Sequence, residues 1–122
     1  AIGGIVVGYE VGRQLDIETI FAERNEGKLI LRRGFKIPKN SNVLVVEDIV
    51  TTGGSIKELL SVLESFKVNV VGVCSLAHRG EIIDFGCRYE TLTNINIKTW
   101  GSDNIPDWLN EIPITKPGST GK

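Results

Sequence analysis

The amino-acid sequence predicts an α/β fold with a mostly parallel central sheet flanked by helices. Residues 43–46 and 68–77 are two β-branched apolar runs, and such continuous runs are typical of parallel strands buried on both faces. Between them, apolar residues recur at steps of three and four, which predicts one helix packed against the sheet; they are Ile56, Leu59, Leu60, Leu63 and Phe66. A strand–helix–strand unit of this kind should cross over right-handedly.

Composition limits the classes of protein that remain. A chain of 122 residues supports a single domain, 1–122, and a net charge of −1 gives no reason to expect a nucleic-acid partner. No apolar run approaches the roughly 20 residues of a membrane span, so we expect no membrane partner. Cys74 and Cys87 lack metal-ligand spacing, and the cytoplasm is the expected compartment. Because no strand precedes the first glycines and the chain contains no Met, we expect its N-terminal part to be absent.

The chain begins with a pattern that predicts a glycine turn leading into a helix. Gly3 and Gly4 form the predicted turn, and a plain helix start is the alternative. Gly8 and Gly12 follow inside the helical segment, where each lowers helix propensity by about 1 kcal/mol relative to Ala. Because glycine has no side chain, we expect these two positions to allow close packing of this helix on a sheet.

A short basic hairpin is predicted next. Residues 19–23 read as a strand, 25–28 as a turn and 29–31 as a return strand, so we expect a hairpin or mobile flap. Four cations lie within ten residues of each other: Arg24, Lys28, Arg32 and Arg33. Such cations would stabilise negative charge on a diphosphate leaving group. A solvated basic hairpin is the alternative interpretation.

The stretch that follows residues 43–46 carries the strongest functional signal. Glu47 and Asp48 are expected at the C-terminal end of the strand, where ligands bind in open parallel sheets. Two carboxylates suit sugar hydroxyls or a magnesium-bound group. After Ile49 and Val50, a loop of hydroxyls and glycines leads into the helix, and its free N–H groups suit a phosphate; it comprises Thr51, Thr52, Gly53, Gly54 and Ser55. An acidic strand end followed by an ordinary helix cap at Ser55 is the alternative.

The second long strand is predicted to end at the same edge of the sheet. Arg79 follows it, and its planar guanidinium matches a carboxylate bidentately, although a surface Arg in a loop is the alternative. His78 is the only histidine of the chain; we expect it in a loop and assign it no catalytic role. Farther on, residues 88–99 predict an outer strand, 100–112 a short helix that packs its aromatics, and 115–122 a flexible tail.

Residues 43–55 resemble the phosphoribosyl-pyrophosphate (PRPP) signature of the type I phosphoribosyltransferases. The shared pattern is an apolar strand, two acids, two residues and then Thr-x-Gly-x-Ser/Thr. It differs from a Walker loop, because no Gly-Lys-Ser/Thr follows. Residues 21–35 and 75–80, together with a Lys-Pro-Gly near the C-terminus, resemble the orotate phosphoribosyltransferases with a short flexible loop.

The resemblance implies a type I phosphoribosyltransferase fold with a hairpin flap and a set of site residues. PRPP would be bound by Glu47, Asp48, Ile49, Val50, Thr51, Thr52, Gly53, Gly54 and Ser55. Thr51 and Arg79 would bind orotate. Arg24 and Lys28 are candidates for the catalytic flexible loop, and Gly3 and Gly4 for backbone contacts with pyrophosphate.

The resemblance also implies the reaction and its participants. Orotate and PRPP would give orotidine 5′-monophosphate and pyrophosphate, a step of pyrimidine (UMP) biosynthesis. Mg²⁺ would be held mainly through PRPP, with no direct protein ligand, and the protein would be a homodimer. Two alternatives remain open: a phosphoribosyltransferase for a purine base, which would not need Arg79, and a non-enzymatic regulator that senses PRPP on the same fold.

Overall fold

The computed structural model describes residues 2–98, 100–101 and 103–113 of the chain, and the predicted tail at 115–122 lies outside these residues. Regular elements follow one another as α1 (Ile2–Leu15), β1 (Ala22–Asn25), β2 (Lys28–Leu31), β3 (Asn42–Val50), α2 (Gly54–Glu64), β4 (Asn69–Arg79), β5 (Tyr89–Ile95) and α3 (Asp107–Asn110). Within the described residues, no helix combines the length and the apolar character needed to span a membrane.

Two separate sheets are present in the described part of the chain. β3, β4 and β5 form a parallel sheet in that order, and β1 and β2 form an antiparallel hairpin. Both the parallel sheet and the hairpin were predicted. β1 begins three residues later than expected: Thr19 lies against α1, where its hydroxyl donates to the carbonyl oxygen of Gly8 at 3.3 Å.

β3 differs from its prediction in length and in burial. The strand continues to Val50, so Glu47 and Asp48 lie inside it and not beyond its end. In the predicted apolar run 43–46, Val45 is buried and the other three residues are only half-buried. Val50, at the end of the strand, is also buried. β4 shows the same deviation, since Val71 and Leu76 remain 48% and 43% exposed. A continuous apolar run does not reveal which face of a sheet is covered.

α2 supplies most of the helical contribution to the core. Ile56 and Leu63 pack with Val45, Val50 and Val73, and two further predicted residues flank this cluster: Leu59 and Leu60. Phe66, the last residue of the predicted stripe, lies beyond the end of the helix at Glu64. The interpretation of this stripe as core packing is confirmed.

The last two predicted elements are present, but both are shorter than the predicted ranges 88–99 and 100–112. β5 is an edge strand of the parallel sheet, as its alternating pattern indicated. α3 is short, and Trp108 on it contacts Trp100 edge-to-face, with 5.8 Å between ring centroids.

The two mid-helix glycines of α1 make a matched pair for a stability test. A Cβ atom at Gly12 would collide with the Thr19 hydroxyl and lie 3.0 Å from the Ile17 carbonyl oxygen, whereas one at Gly8 would meet ordinary contacts at 3.7 and 4.0 Å. We expect Gly12→Ala to destabilise the fold by about 1–3 kcal/mol through overpacking. Gly8→Ala should be neutral or stabilise it by up to about 1 kcal/mol through helix propensity.

Urea denaturation midpoints of the two variants and the wild type test this expectation. Equal midpoints for the two alanine variants would contradict close packing of α1 on Thr19.

Candidate functional site

The predicted site residues 47–55 and Arg79 lie at the C-terminal edge of β3 and β4, whereas Arg24 and Lys28 lie in the hairpin of β1 and β2. In the parallel register, Val50 pairs with His78, so the next residues along the two strands are Thr51 and Arg79. Both residues therefore lie at the same edge of the sheet, as predicted. The Arg79 side chain is exposed and makes no hydrogen bond or ion pair with another described residue.

The loop after β3 is an open set of hydrogen-bond donors. Gly53 is the N-cap residue of α2, and no side chain caps the helix, which excludes the predicted alternative of an ordinary cap at Ser55. No backbone N–H of residues 52–55 donates a hydrogen bond to another described residue. The hydroxyls of Thr51, Thr52 and Ser55 are exposed and also lack a partner in the described part of the chain.

This loop encloses a small cavity with polar walls. Ten consecutive residues, 47–56, line a volume of about 170 Å³. Unpaired N–H groups at the N-terminus of an 11-residue helix, beside three hydroxyls, suit a phosphate group. We name residues 51–55 the phosphate cradle.

Gly53 holds the cradle in a conformation that a side chain would prevent. Its φ angle is 71°, in the left-handed region. A Cβ atom there would lie 2.8 Å from the Phe85 ring and 2.9 Å from the Ile83 side chain. Both belong to the connection between β4 and β5, so this connection supports the back of the cradle. Sequence reasoning missed it, although two apolar residues in a loop were an available signal.

The acid pair lies beside the cradle and is half-buried. The Asp48 amide donates to the Glu47 carboxylate at 3.1 Å, and the Ile49 amide donates to the Asp48 carboxylate at 2.8 Å. Burial, and next the neighbouring Asp48 carboxylate, raise the pKa of Glu47 above its ordinary value, and the hydrogen bond from the Asp48 amide opposes this rise only in part. Glu47 therefore retains a proton to higher pH than a free glutamate.

The first turn of α1 packs directly on this acid pair. Gly3 and Gly4 lie inside the helix, so the predicted turn before it is wrong. A Cβ atom at Gly3 would collide with the Asp48 carboxylate, and one at Gly4 would lie 2.7 Å from Glu47 Oε1. The contact explains why glycines occupy the first helical turn, and it leaves only backbone atoms of these two residues facing the site.

The hairpin is attached to α2 through one carboxylate. Glu58 accepts hydrogen bonds from the Leu29 amide at 2.7 Å and from the Arg24 guanidinium at 2.8 Å. The Leu29 amide and, next, Arg24 lower the pKa of Glu58. Arg24, one predicted loop cation, is thus engaged in an ion pair, while the Lys28 ammonium contacts no acceptor among the described residues.

His78 was expected in a loop, and the structure corrects this. It is the tenth of the eleven residues of β4 and is fully buried. Both ring nitrogens are hydrogen-bonded, one to the Tyr89 hydroxyl and one to the Glu81 carbonyl oxygen. Its partners were not visible in the sequence, because a hydroxyl eleven residues away and a backbone atom carry no local signal.

The described residues contain no group of three or more His, Cys, Asp or Glu side chains arranged for a metal ion. Glu47 and Asp48 offer only two carboxylates, too few to hold Mg²⁺ by themselves, so an ion at this edge would be held mainly by the oxygens of its ligand. The donor set therefore fits a magnesium ion that arrives with a phosphorylated ligand.

A parallel sheet, an acid pair and a phosphate cradle thus lie together at one edge. Residues 2–101 match the family described as phosphoribosyl transferase domain, and the chain belongs to this family.

The names of curated relatives are more specific than the name of this family. The chain is 46% identical over 120 residues to a protein of Caldanaerobacter subterraneus subsp. tengcongensis named orotate phosphoribosyltransferase. It is 42% identical over 122 residues to one of the same name from Thermotoga maritima. These alignments cover 98% and 99% of the chain but 63% and 65% of the relatives, so the chain spans less than two thirds of their length.

Solved structures agree with the fold. An adenine phosphoribosyltransferase superposes with a TM-score of 0.59 at 22% identity, over 74% of this chain and 62% of the other. A second one, from Thermoanaerobacter pseudethanolicus, superposes with a TM-score of 0.60 at 16% identity, over 76% and 66%. At these identities the likeness shows the fold alone, and it confirms the type I phosphoribosyltransferase fold.

The raised pKa of Glu47 predicts how stability depends on pH. Above the pKa of an unfolded glutamate, about 4.3, the folded protein binds more protons at Glu47 than the unfolded chain does. Stability therefore falls as pH rises from there through the folded pKa. Glu47→Gln removes this effect, so we expect the variant to be more stable than the wild type at pH 7. The difference should shrink as pH falls towards 4.

Denaturant unfolding between pH 4 and pH 8 measures this difference, with Glu64→Gln on the exposed surface of α2 as the control. A Glu47→Gln variant that is no more stable than wild type at pH 7 would show that burial of this carboxylate carries no penalty.

Proposed function

We propose that the protein is an orotate phosphoribosyltransferase, which transfers the ribose 5-phosphate of PRPP to orotate and releases pyrophosphate, a step of UMP biosynthesis. The observation that carries the proposal is that Arg79 ends β4 at the same sheet edge at which the open phosphate cradle follows β3. The names of the curated relatives support the same substrate pair.

The cradle would hold the 5′-phosphate of PRPP. Its free N–H groups and its three hydroxyls can all donate hydrogen bonds to an anion. The dipole of α2 adds a favourable electric field at the same place. The two carboxylates would instead accept hydrogen bonds from the ribose hydroxyls. Because C1 of the ribose gains positive charge as pyrophosphate departs, the negative charge of Asp48 would also stabilise the transition state.

The base would be selected by Arg79. Orotate carries a carboxylate, and an exposed guanidinium with no described partner can bind it bidentately. A purine base has no carboxylate, so the free Arg79 favours orotate over the purine alternative. The PRPP-sensing regulator would keep the same cradle and carboxylates, and turnover separates it from the enzyme.

The leaving group needs positive charge, and the chain offers several sources. Lys28 on the hairpin is the better candidate of the two loop cations, because Glu58 already binds Arg24. Backbone N–H groups of Gly3 and Gly4 would add donors at the start of α1. Mg²⁺ bound through PRPP would neutralise charge on the pyrophosphate oxygens.

Two further properties belong to the proposal. We propose a homodimer, on resemblance to the family, and analytical ultracentrifugation measures this directly. Cys74 and Cys87 are both free thiols, which supports a reducing compartment such as the cytoplasm.

Substitutions at the proposed substrate contacts test the function in the full-length protein. With orotate, PRPP and Mg²⁺ we expect Asp48→Asn to lower kcat/KM by about 10- to 100-fold, because a charged hydrogen-bond acceptor for ribose is lost. Arg79→Ala should raise KM for orotate by a similar factor. Arg88→Ala is the control, because the Arg88 side chain is exposed and, among the described residues, pairs only with Glu90.

Formation of orotidine 5′-monophosphate is followed by absorbance, and a panel of orotate, adenine and hypoxanthine gives the base preference. Wild-type turnover of adenine or hypoxanthine but not of orotate contradicts the proposal, as does near-wild-type efficiency of both variants.

The two loop cations should behave differently. We expect Lys28→Ala to lower kcat on the order of 10²-fold, the effect typical of removing one donor to a developing charge. Arg24→Ala should lower stability more than kcat, because it breaks the ion pair with Glu58. Steady-state kinetics and thermal unfolding separate the two effects, with Lys39→Ala in the exposed turn before β3 as the control. A larger kcat loss for Arg24→Ala than for Lys28→Ala would reverse the assignment.

A further inference from the structure

The buried histidine connects the turn that follows β4 with the first residue of β5. His78 Nε2 lies 2.7 Å from the carbonyl oxygen of Glu81, and Nδ1 lies 2.9 Å from the Tyr89 hydroxyl. A carbonyl oxygen can only accept, so Nε2 carries the hydrogen and donates to it. In the neutral ring, Nδ1 then accepts from Tyr89.

The bond from Nε2 closes a tight turn around Arg79. It connects residues 78 and 81, and only Arg79 and Gly80 lie between them. Gly80 has a φ angle of 108°, a conformation that side-chain-bearing residues rarely adopt. Arg79 itself pairs with Ile95 in the ladder between β4 and β5, but no backbone hydrogen bond with another described residue holds Gly80 or Glu81. The imidazole is therefore the polar anchor of the turn that directly follows Arg79, while the strand ladder holds the Arg79 backbone on its other side.

The bond from Nδ1 fixes the ring itself. Tyr89 belongs to β5, and its hydroxyl also contacts the Ser75 hydroxyl at 2.9 Å. Ser75 in turn donates to Thr91 at 3.1 Å. The ring is held by Tyr89 of β5 on one side and by the Glu81 carbonyl oxygen on the other. It cannot rotate without breaking these buried hydrogen bonds, and a buried polar group without a partner destabilises the fold.

We propose that His78 is a positioning residue that sets the affinity for the base by fixing the turn that presents Arg79. The inference rests on the proposed function, since Arg79 is the proposed orotate contact. His78 touches no substrate, and it acts through the Glu81 carbonyl. The cradle residues 52–55 bond neither His78 nor Glu81, and Ile83 and Phe85 behind Gly53 also pack against the apolar core, so PRPP affinity should change much less than orotate affinity.

Two amide substitutions separate the two ring nitrogens. Glutamine places an N–H donor the same number of bonds from Cα as Nε2, and asparagine places a polar atom where Nδ1 stands. His78→Gln therefore keeps the bond to Glu81, while His78→Asn keeps only the one to Tyr89. Tyr89→Phe is the matched control, since it removes the other bond and leaves ring packing on Phe85.

In the full-length protein we expect His78→Asn to raise KM for orotate about tenfold, the effect of one lost hydrogen bond. Its kcat and its KM for PRPP should stay within about twofold of wild type. His78→Gln should restore KM for orotate to within about twofold of wild type. Tyr89→Phe should lower thermal stability without raising KM for orotate. Equal KM increases for Asn and Gln, or an equal rise in KM for PRPP, would overturn the proposal.

Amide hydrogen exchange of residues 79–82 in the ligand-free protein gives a readout that does not depend on the substrate. Faster exchange in His78→Asn than in His78→Gln supports the anchor, and equal exchange refutes it. A wild-type protein that turns over no orotate refutes the proposed function, and the exchange result still decides whether His78 holds the turn.

Discussion

The parallel pairing of Val50 with His78 is the constraint on which the site depends. It aligns the ends of β3 and β4, so that the phosphate cradle and Arg79 leave the sheet at the same level. A shift of the register by one residue would exchange the faces of a strand and move Arg79 away from Thr51. The apolar packing of Val45, Val73 and α2 protects this register, because slippage would expose buried side chains. The core thus determines the distance between the two halves of the ligand site.

Local pattern was sufficient for most of this arrangement. The apolar runs and the helical stripe predicted the parallel sheet and α2, and the spacing of acids, hydroxyls and glycines predicted the cradle. The neighbourhood of Thr51 and Arg79 also followed, since parallel strands end at one edge. These features depend on residues near each other in sequence or on a general rule of sheet topology.

What failed depends on contacts between distant segments. The burial of His78 requires Tyr89 and the Glu81 carbonyl, and the support of Gly53 requires Phe85 from another connection. The extension of β3 through Glu47 and Asp48 could not be read from side chains, because charged residues interrupt an apolar pattern while the backbone ladder continues. The turn assigned to Gly3 and Gly4 was wrong because their small size reflects the acid pair that lies against them.

Phe85 and Ile83 behind Gly53 have a consequence for the energetics of ligand capture. A loop with empty space behind it must lose conformational freedom when an anion arrives, and that loss weakens binding. Here the Phe85 ring already fills the space behind Gly53, so the cradle backbone cannot move back into it. The cradle is therefore preorganised: its donors face the anion before it arrives, and less of the interaction energy is lost to ordering the loop.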